Sequence, residues 1–106
     1  MSGWVTVARE GEIARGAFRV ADVDGANIVV FNIDGRYYAI EDVCTHDGGQ
    51  LTGGHIEDDA IVCPRHGARF CIRTGEALTA PAYEPTATFP VRVENGDIQV
   101  RDERWD

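Results

Sequence analysis

Three dipeptides, Asp24-Gly25, Asp34-Gly35 and Asn95-Gly96, punctuate the chain, and each separates short runs rich in Val, Ile, Phe and Tyr. Such pairs accept positive φ at both central positions of a tight turn, which reverses one strand into an antiparallel neighbour. The first two therefore predict a meander of strands over 17–23, 27–33 and 36–41, and the third predicts a hairpin of 87–94 with 98–101. A first strand is expected over 4–8, and further strands over 55–57, 60–63 and 69–73. Helical periodicity is hard to find in any window of a dozen residues. The chain reads as all-β.

The alternation stops at 42–54, where Asp-Val-Cys-Thr-His-Asp-Gly-Gly-Gln-Leu-Thr-Gly-Gly forms a loop of small and polar side chains. A second loop covers 64–68, and an irregular segment with a proline at each end covers 81–85. Loops carried on a rigid scaffold are where function concentrates. No repeat, linker or low-complexity tract is visible, and 106 residues suit one domain, 1–106, without room for a second core.

The two loops carry Cys44-Thr45-His46 and Cys63-Pro64-Arg65-His66, with sixteen residues between them. A zinc finger of the Cys2His2 kind groups both cysteines in one knuckle and both histidines on a helix, and no helix is expected here. Two loops that each offer one thiolate and one imidazole suit a two-iron cluster, one iron taking two thiolates and the other two imidazoles. A zinc-binding interaction module remains the competing reading of the same four residues.

Cys-x-His followed by Cys-x-x-His-Gly resembles the Rieske motif, and the run 70–75 with the proline-bearing segment beyond it resembles ferredoxin components of bacterial ring-hydroxylating oxygenases. The resemblance implies a Rieske fold, an antiparallel β-sandwich or barrel scaffold with an inserted two-loop cluster-binding subdomain at about 42–73. It implies one Rieske-type [2Fe–2S] cluster, with Cys44 and Cys63 on the inner iron and His46 and His66 on the outer, solvent-near iron. High-potential members of that family bridge the two loops with further cysteines and donate Ser and Tyr hydroxyls to cluster sulfurs. Here Gly49 and Arg65 hold the bridging positions, Ala68 the Ser position and Phe70 the Tyr position. Fewer donors to sulfur disfavour the reduced cluster, so the potential is expected near the low end of the Rieske range, about −150 mV.

The resemblance thus implies a one-electron carrier, not an enzyme, between an NAD(P)H-dependent flavin reductase and a terminal non-haem iron oxygenase. A small subunit of an NAD(P)H nitrite reductase and a carrier serving another pathway, such as sulfur metabolism, are the nearby alternatives. Composition agrees with a soluble carrier. Eighteen acidic residues against ten arginines give a net charge of −8, which disfavours nucleic acid and anionic membranes and suits either solubility or a basic partner surface. No basic leader with an apolar run is seen at the start, and no stretch could span a bilayer, so a cytoplasmic monomer is expected. Cys71 is expected in the core, His55 as an exposed or hydrogen-bonded side chain, and Glu57-Asp58-Asp59 as a solvated hairpin tip. Trp105 either frays or packs back onto the scaffold.

Overall fold

The computed structural model describes residues 3–104, which leaves Trp105 outside the described residues. Its strands are β1 (Val5–Arg9), β2 (Phe18–Val23), β3 (Ala26–Ile33), β4 (Arg36–Glu41), β5 (His55–Glu57), β6 (Ala60–Val62), β7 (Arg69–Cys71), β8 (Thr88–Phe89), β9 (Val91–Glu94) and β10 (Asp97–Val100). The turn dipeptides behave as their chemistry dictates: Asp24 and Gly25 take φ of 52° and 89°, Asp34 and Gly35 54° and 89°, Asn95 and Gly96 51° and 82°. Each pair closes a two-residue hairpin, between β2 and β3, β3 and β4, and β9 and β10.

The strands form three antiparallel sheets, ordered β1-β10-β9, β2-β3-β4-β8 and β5-β6-β7. Strand β3 explains how they stack. Its run Ile28-Val29-Val30-Phe31 is fully buried, because alternate side chains enter two different cores. Ile28 and Val30 pack with Ala39, Phe89, Ile98 and Val100 between the four-stranded sheet and the β1-β10-β9 sheet. Val29, Phe31 and Ile33 pack with Leu51, Ile61, Phe70 and Ile72 beneath the β5-β6-β7 layer. At roughly 1.5–3 kcal/mol for each large apolar side chain buried, this one strand ties both layers together.

Three expected strands are corrected. The run 87–94 is broken at Pro90, which has no amide for a ladder, so β8 pairs with β4 while β9 turns to β10. The run 69–73 ends at Cys71, where the Gly75 amide donates to the Cys71 carbonyl at 2.7 Å and Gly75 adopts φ of 77°. Strand β6 likewise stops at Val62, one residue short of Cys63. Among the described residues, no helix is long and apolar enough to cross a membrane.

Candidate metal centre

Strand β4 delivers the chain to Asp42, a carboxylate only 2% exposed. Stripped of water, it needs donors, and it finds them across the loop: Oδ1 accepts from the amides of Leu51 (2.8 Å) and Thr52 (2.9 Å), and Oδ2 from the Thr52 hydroxyl (2.7 Å). The root of the first loop is thereby pinned. Above it, the Cys44 amide donates to the Gly49 carbonyl and the Gly48 amide to the Cys44 carbonyl, both at 2.7 Å. The second loop repeats this pattern: the Cys63 amide donates to the Ala68 carbonyl (2.7 Å) and the Gly67 amide to the Cys63 carbonyl (3.2 Å). Gly48 and Gly67 occupy the same left-handed region, with φ of 76° and 75°. The two loops are near copies of each other, each wrapped around its cysteine. They are held close because Gly54 has no side chain; a Cβ there would collide with the Val62 carbonyl.

This framework sorts the four side chains by type. Cys44 and Cys63 are buried, and their sulfurs lie within 4.8 Å of each other. His46 and His66 are exposed at the loop tips, their rings edge to face with centroids 5.4 Å apart. Burial pushes the Cys44 thiol up, opposed by the His46 amide, and the neighbouring Cys63 raises it further. Were both sulfurs ionised at this spacing and burial, a cation would be needed to compensate them. Among the described residues, the group of ligand-type side chains mutually within 4.8 Å contains Cys44, Cys63 and Asp47 but neither imidazole. One tetrahedral ion would need both imidazoles inside that group. Asp47 is already engaged, by the Gly49 amide (2.9 Å) and by Arg65.

Arg65 lies over the first loop. Its Nε and Nη2 donate to the two Asp47 oxygens, the latter at 3.0 Å, and its Nη1 donates to the Gln50 carbonyl at 2.9 Å. The Arg65 guanidinium holds the Asp47 carboxyl well below the usual carboxylate range, and Asp47 in turn raises Arg65. The Arg65 guanidinium fills the space that a Cβ on Gly49 would need; by the resemblance these two residues stand where high-potential relatives have bridging cysteines. Ala68 and Phe70 are fully buried beside the site. On the other side of His46, a hollow is bounded by Thr45, Pro81, Tyr83 and Glu84. The Thr45 hydroxyl donates to the Glu84 carbonyl at 2.6 Å, and Tyr83 is 84% exposed.

The remaining sequence candidates lie elsewhere. Cys71 is half-buried on β7 opposite Ala60 rather than in the core, and is absent from the ligand group. His55 is exposed and bonds Glu57 at 2.7 Å. The 57–59 tip is more than solvated: Arg69 pairs with Glu57 and Arg73 with Asp59, each at 3.1 Å. Asp42 and Asp47 escaped the sequence reading. The signal for Asp42 was a carboxylate at a strand end followed by a loop full of amide donors. Asp47 and Arg65 lie eighteen positions apart, and only the superposition of the two loops brings them together.

A family model described as the Rieske [2Fe-2S] domain matches residues 3–90. The 3-phenylpropionate/cinnamic acid dioxygenase ferredoxin subunits of Escherichia coli K12 and Shigella flexneri serotype 5b are each 51% identical over 72 residues, covering 67% of this chain and 68% of theirs. The ferredoxin of carbazole 1,9a-dioxygenase from Nocardioides aromaticivorans IC177 superposes with a TM-score of 0.87 at 31% identity, covering 92% of this chain and 95% of that one. A chain in a complex of reduced oxygenase and oxidised ferredoxin of carbazole 1,9a-dioxygenase superposes at 0.86 with 33% identity, covering 92% and 91%.

Proposed function

This chain belongs to the Rieske [2Fe–2S] family, and on that premise we propose that it is a one-electron carrier in a ring-hydroxylating dioxygenase system, a ferredoxin component rather than a catalyst. The observation that carries this reading is the sorting of the site, thiols together inside and imidazoles together at the surface. Cys44 and Cys63 would hold the inner iron, His46 and His66 the outer one. A Rieske-type cluster supplies a one-electron couple. The protein's own residues do the rest. The apolar walls of Leu51, Ile61, Ala68 and Phe70 keep water from the thiolates, and the exposed imidazoles give a docked partner an edge it can approach closely. Tyr83, beside His46 and largely in solvent, offers that partner a rigid amphipathic contact.

The partners in this reading are an NAD(P)H-dependent flavin reductase as donor and a terminal non-haem iron oxygenase as acceptor. The relatives named as dioxygenase ferredoxin subunits, and the related chain solved together with its oxygenase, support the second of these. We place residues 1–106 in one domain, with the cluster-binding subdomain at about 42–73, acting as a monomer in the cytoplasm. Replacing His46 or His66 by Ala should abolish or destabilise the cluster, whereas Cys71→Ser and His55→Ala should keep it. Iron content and the visible spectrum of the four variants check this, and a normal iron content in the His46 and His66 variants would overturn the assignment.

A further inference from the structure

We propose that Arg65, seated in the space left by Gly49 and forked onto Asp47, is a positioning residue that locks the second loop to the first and so governs how long iron is retained. The proposal rests on the ligand assignment above. The bonds that shape each loop are internal to it, Cys44 with Gly48 and Gly49, Cys63 with Gly67 and Ala68. Arg65 is different because its donors cross from the second loop to the first, two onto Asp47 and one onto the Gln50 carbonyl. A planar fork matched to a carboxylate fixes orientation as well as distance.

Gly49 supplies an independent observation. Its backbone is not in the left-handed region, so glycine is not needed there for φ. It is needed for space: a Cβ would stand 2.5 Å from Arg65 Cζ and 2.6 Å from Nη2. The fork thus lies flat across the bare backbone of the first loop, with His46 beside Asp47 and His66 beside Arg65 in sequence. Loosening this contact frees the two segments that carry the imidazoles to move apart. Because the lock is ionic, salt weakens it.

The test uses the iron-loaded protein and follows the rate at which a strong iron chelator bleaches its visible spectrum. Asp47→Asn and Arg65→Gln should each release iron faster, on the order of tenfold. The double variant should be no faster than the singles, since all three remove the same contact. Gly49→Ala, which keeps both charges and wedges the fork away, should shift the rate in the same direction. In wild type the release should quicken as ionic strength rises, and in Asp47→Asn it should respond little. A mere field effect of the two charges would move Asp47→Asn and Arg65→Gln in opposite directions. Opposite signs, additive effects, or single variants within about twofold of wild type would overturn the lock. The wild-type spectrum tests the ligand assignment separately: a variant with that spectrum and the wild-type release rate refutes the lock and leaves the assignment standing.

Discussion

The two halves of this molecule are held together by different physics. The scaffold of β1 to β4 and β8 to β10 rests on long antiparallel ladders, with one register shift between Thr6 and Ala8, and on the apolar core that covers one face of β3. The metal-binding loops have little ladder of their own. Their inner residues Cys44, Leu51, Cys63 and Ala68 share the core beneath β3, but their shape hangs on a few polar anchors: Asp42 at the root, Arg65 on Asp47 at the tip, and Thr45 on the Glu84 carbonyl at the flank. Apolar packing does not titrate, is not screened by salt and tolerates gradual loss, whereas a point anchor fails when one partner goes. The difference teaches that fold stability and iron retention are separable here, and variants in each half should separate them.

The largest effect belongs to the scaffold. Ile98→Ala leaves a cavity in the core between the β1-β10-β9 and β2-β3-β4-β8 sheets and should cost roughly 2–5 kcal/mol, read as a lower midpoint in denaturant. Its iron release under native conditions should stay close to wild type. Asp42→Ala is the counterpart in the loops. It strands the Leu51 and Thr52 amides at a cost of about 1–3 kcal/mol, and should accelerate iron release more than Ile98→Ala does. If Ile98→Ala loosens iron as much as Asp42→Ala, the two halves are not independent and the comparison fails.

A smaller effect tests the polar anchoring of the scaffold's own end. Asp102 is buried and receives the backbone amide, Nε and Nη2 of Arg104, and that guanidinium holds its carboxyl below the usual range. A depressed folded pKa means the stabilisation is complete above the unfolded carboxylate pKa of about 3.9 and disappears as pH falls through the folded value. Asp102→Asn should therefore lose about 1 kcal/mol near neutrality and show a flatter decline in melting temperature on the acid side. An unchanged acid limb would mean that Asp102 does not feel Arg104 in the folded state.

Much of this was legible in the sequence, for reasons that are local. A turn dipeptide states its backbone conformation directly, so Asp24-Gly25, Asp34-Gly35 and Asn95-Gly96 located three hairpins. The order Cys-x-His then Cys-x-x-His marked both loops, because ligand spacing within a loop is also local. What stayed hidden depends on distant parts of the chain meeting. The continuous apolar run in β3 is buried on two faces, which only the arrival of β10 on one side and β7 on the other determines. Pro90 lay inside a run read as one strand, and that the chain changes sheets there depended on β4 and β10 both being within reach. Asp47 and Arg65 have no sequence signature as a pair, since two superposed loops create their proximity.

A separate effect, which leaves the stability of both halves untouched, concerns the reduction potential, which the buried Ala68 and Phe70 should keep low by offering the cluster sulfurs no hydroxyl. Ala68→Ser and Phe70→Tyr each add one. A hydrogen bond to a charged acceptor contributes roughly 1.5–3 kcal/mol, of which about 1–2 strengthens on reduction. At 59 mV per tenfold for one electron, each substitution should raise the potential by about 40–90 mV. Protein-film voltammetry reads this directly. An unshifted potential with an intact spectrum would assign the control to solvent exposure or net charge instead.

The central claim is that buried paired thiols and exposed paired imidazoles form a two-iron site rather than a one-ion site. Iron, zinc and acid-labile sulfide, determined on the purified chain together with its aerobic visible spectrum, test it most directly. The account predicts a red-brown protein carrying iron and sulfide in equal amounts, about two of each per chain. A colourless protein with one zinc per chain and no sulfide would contradict it.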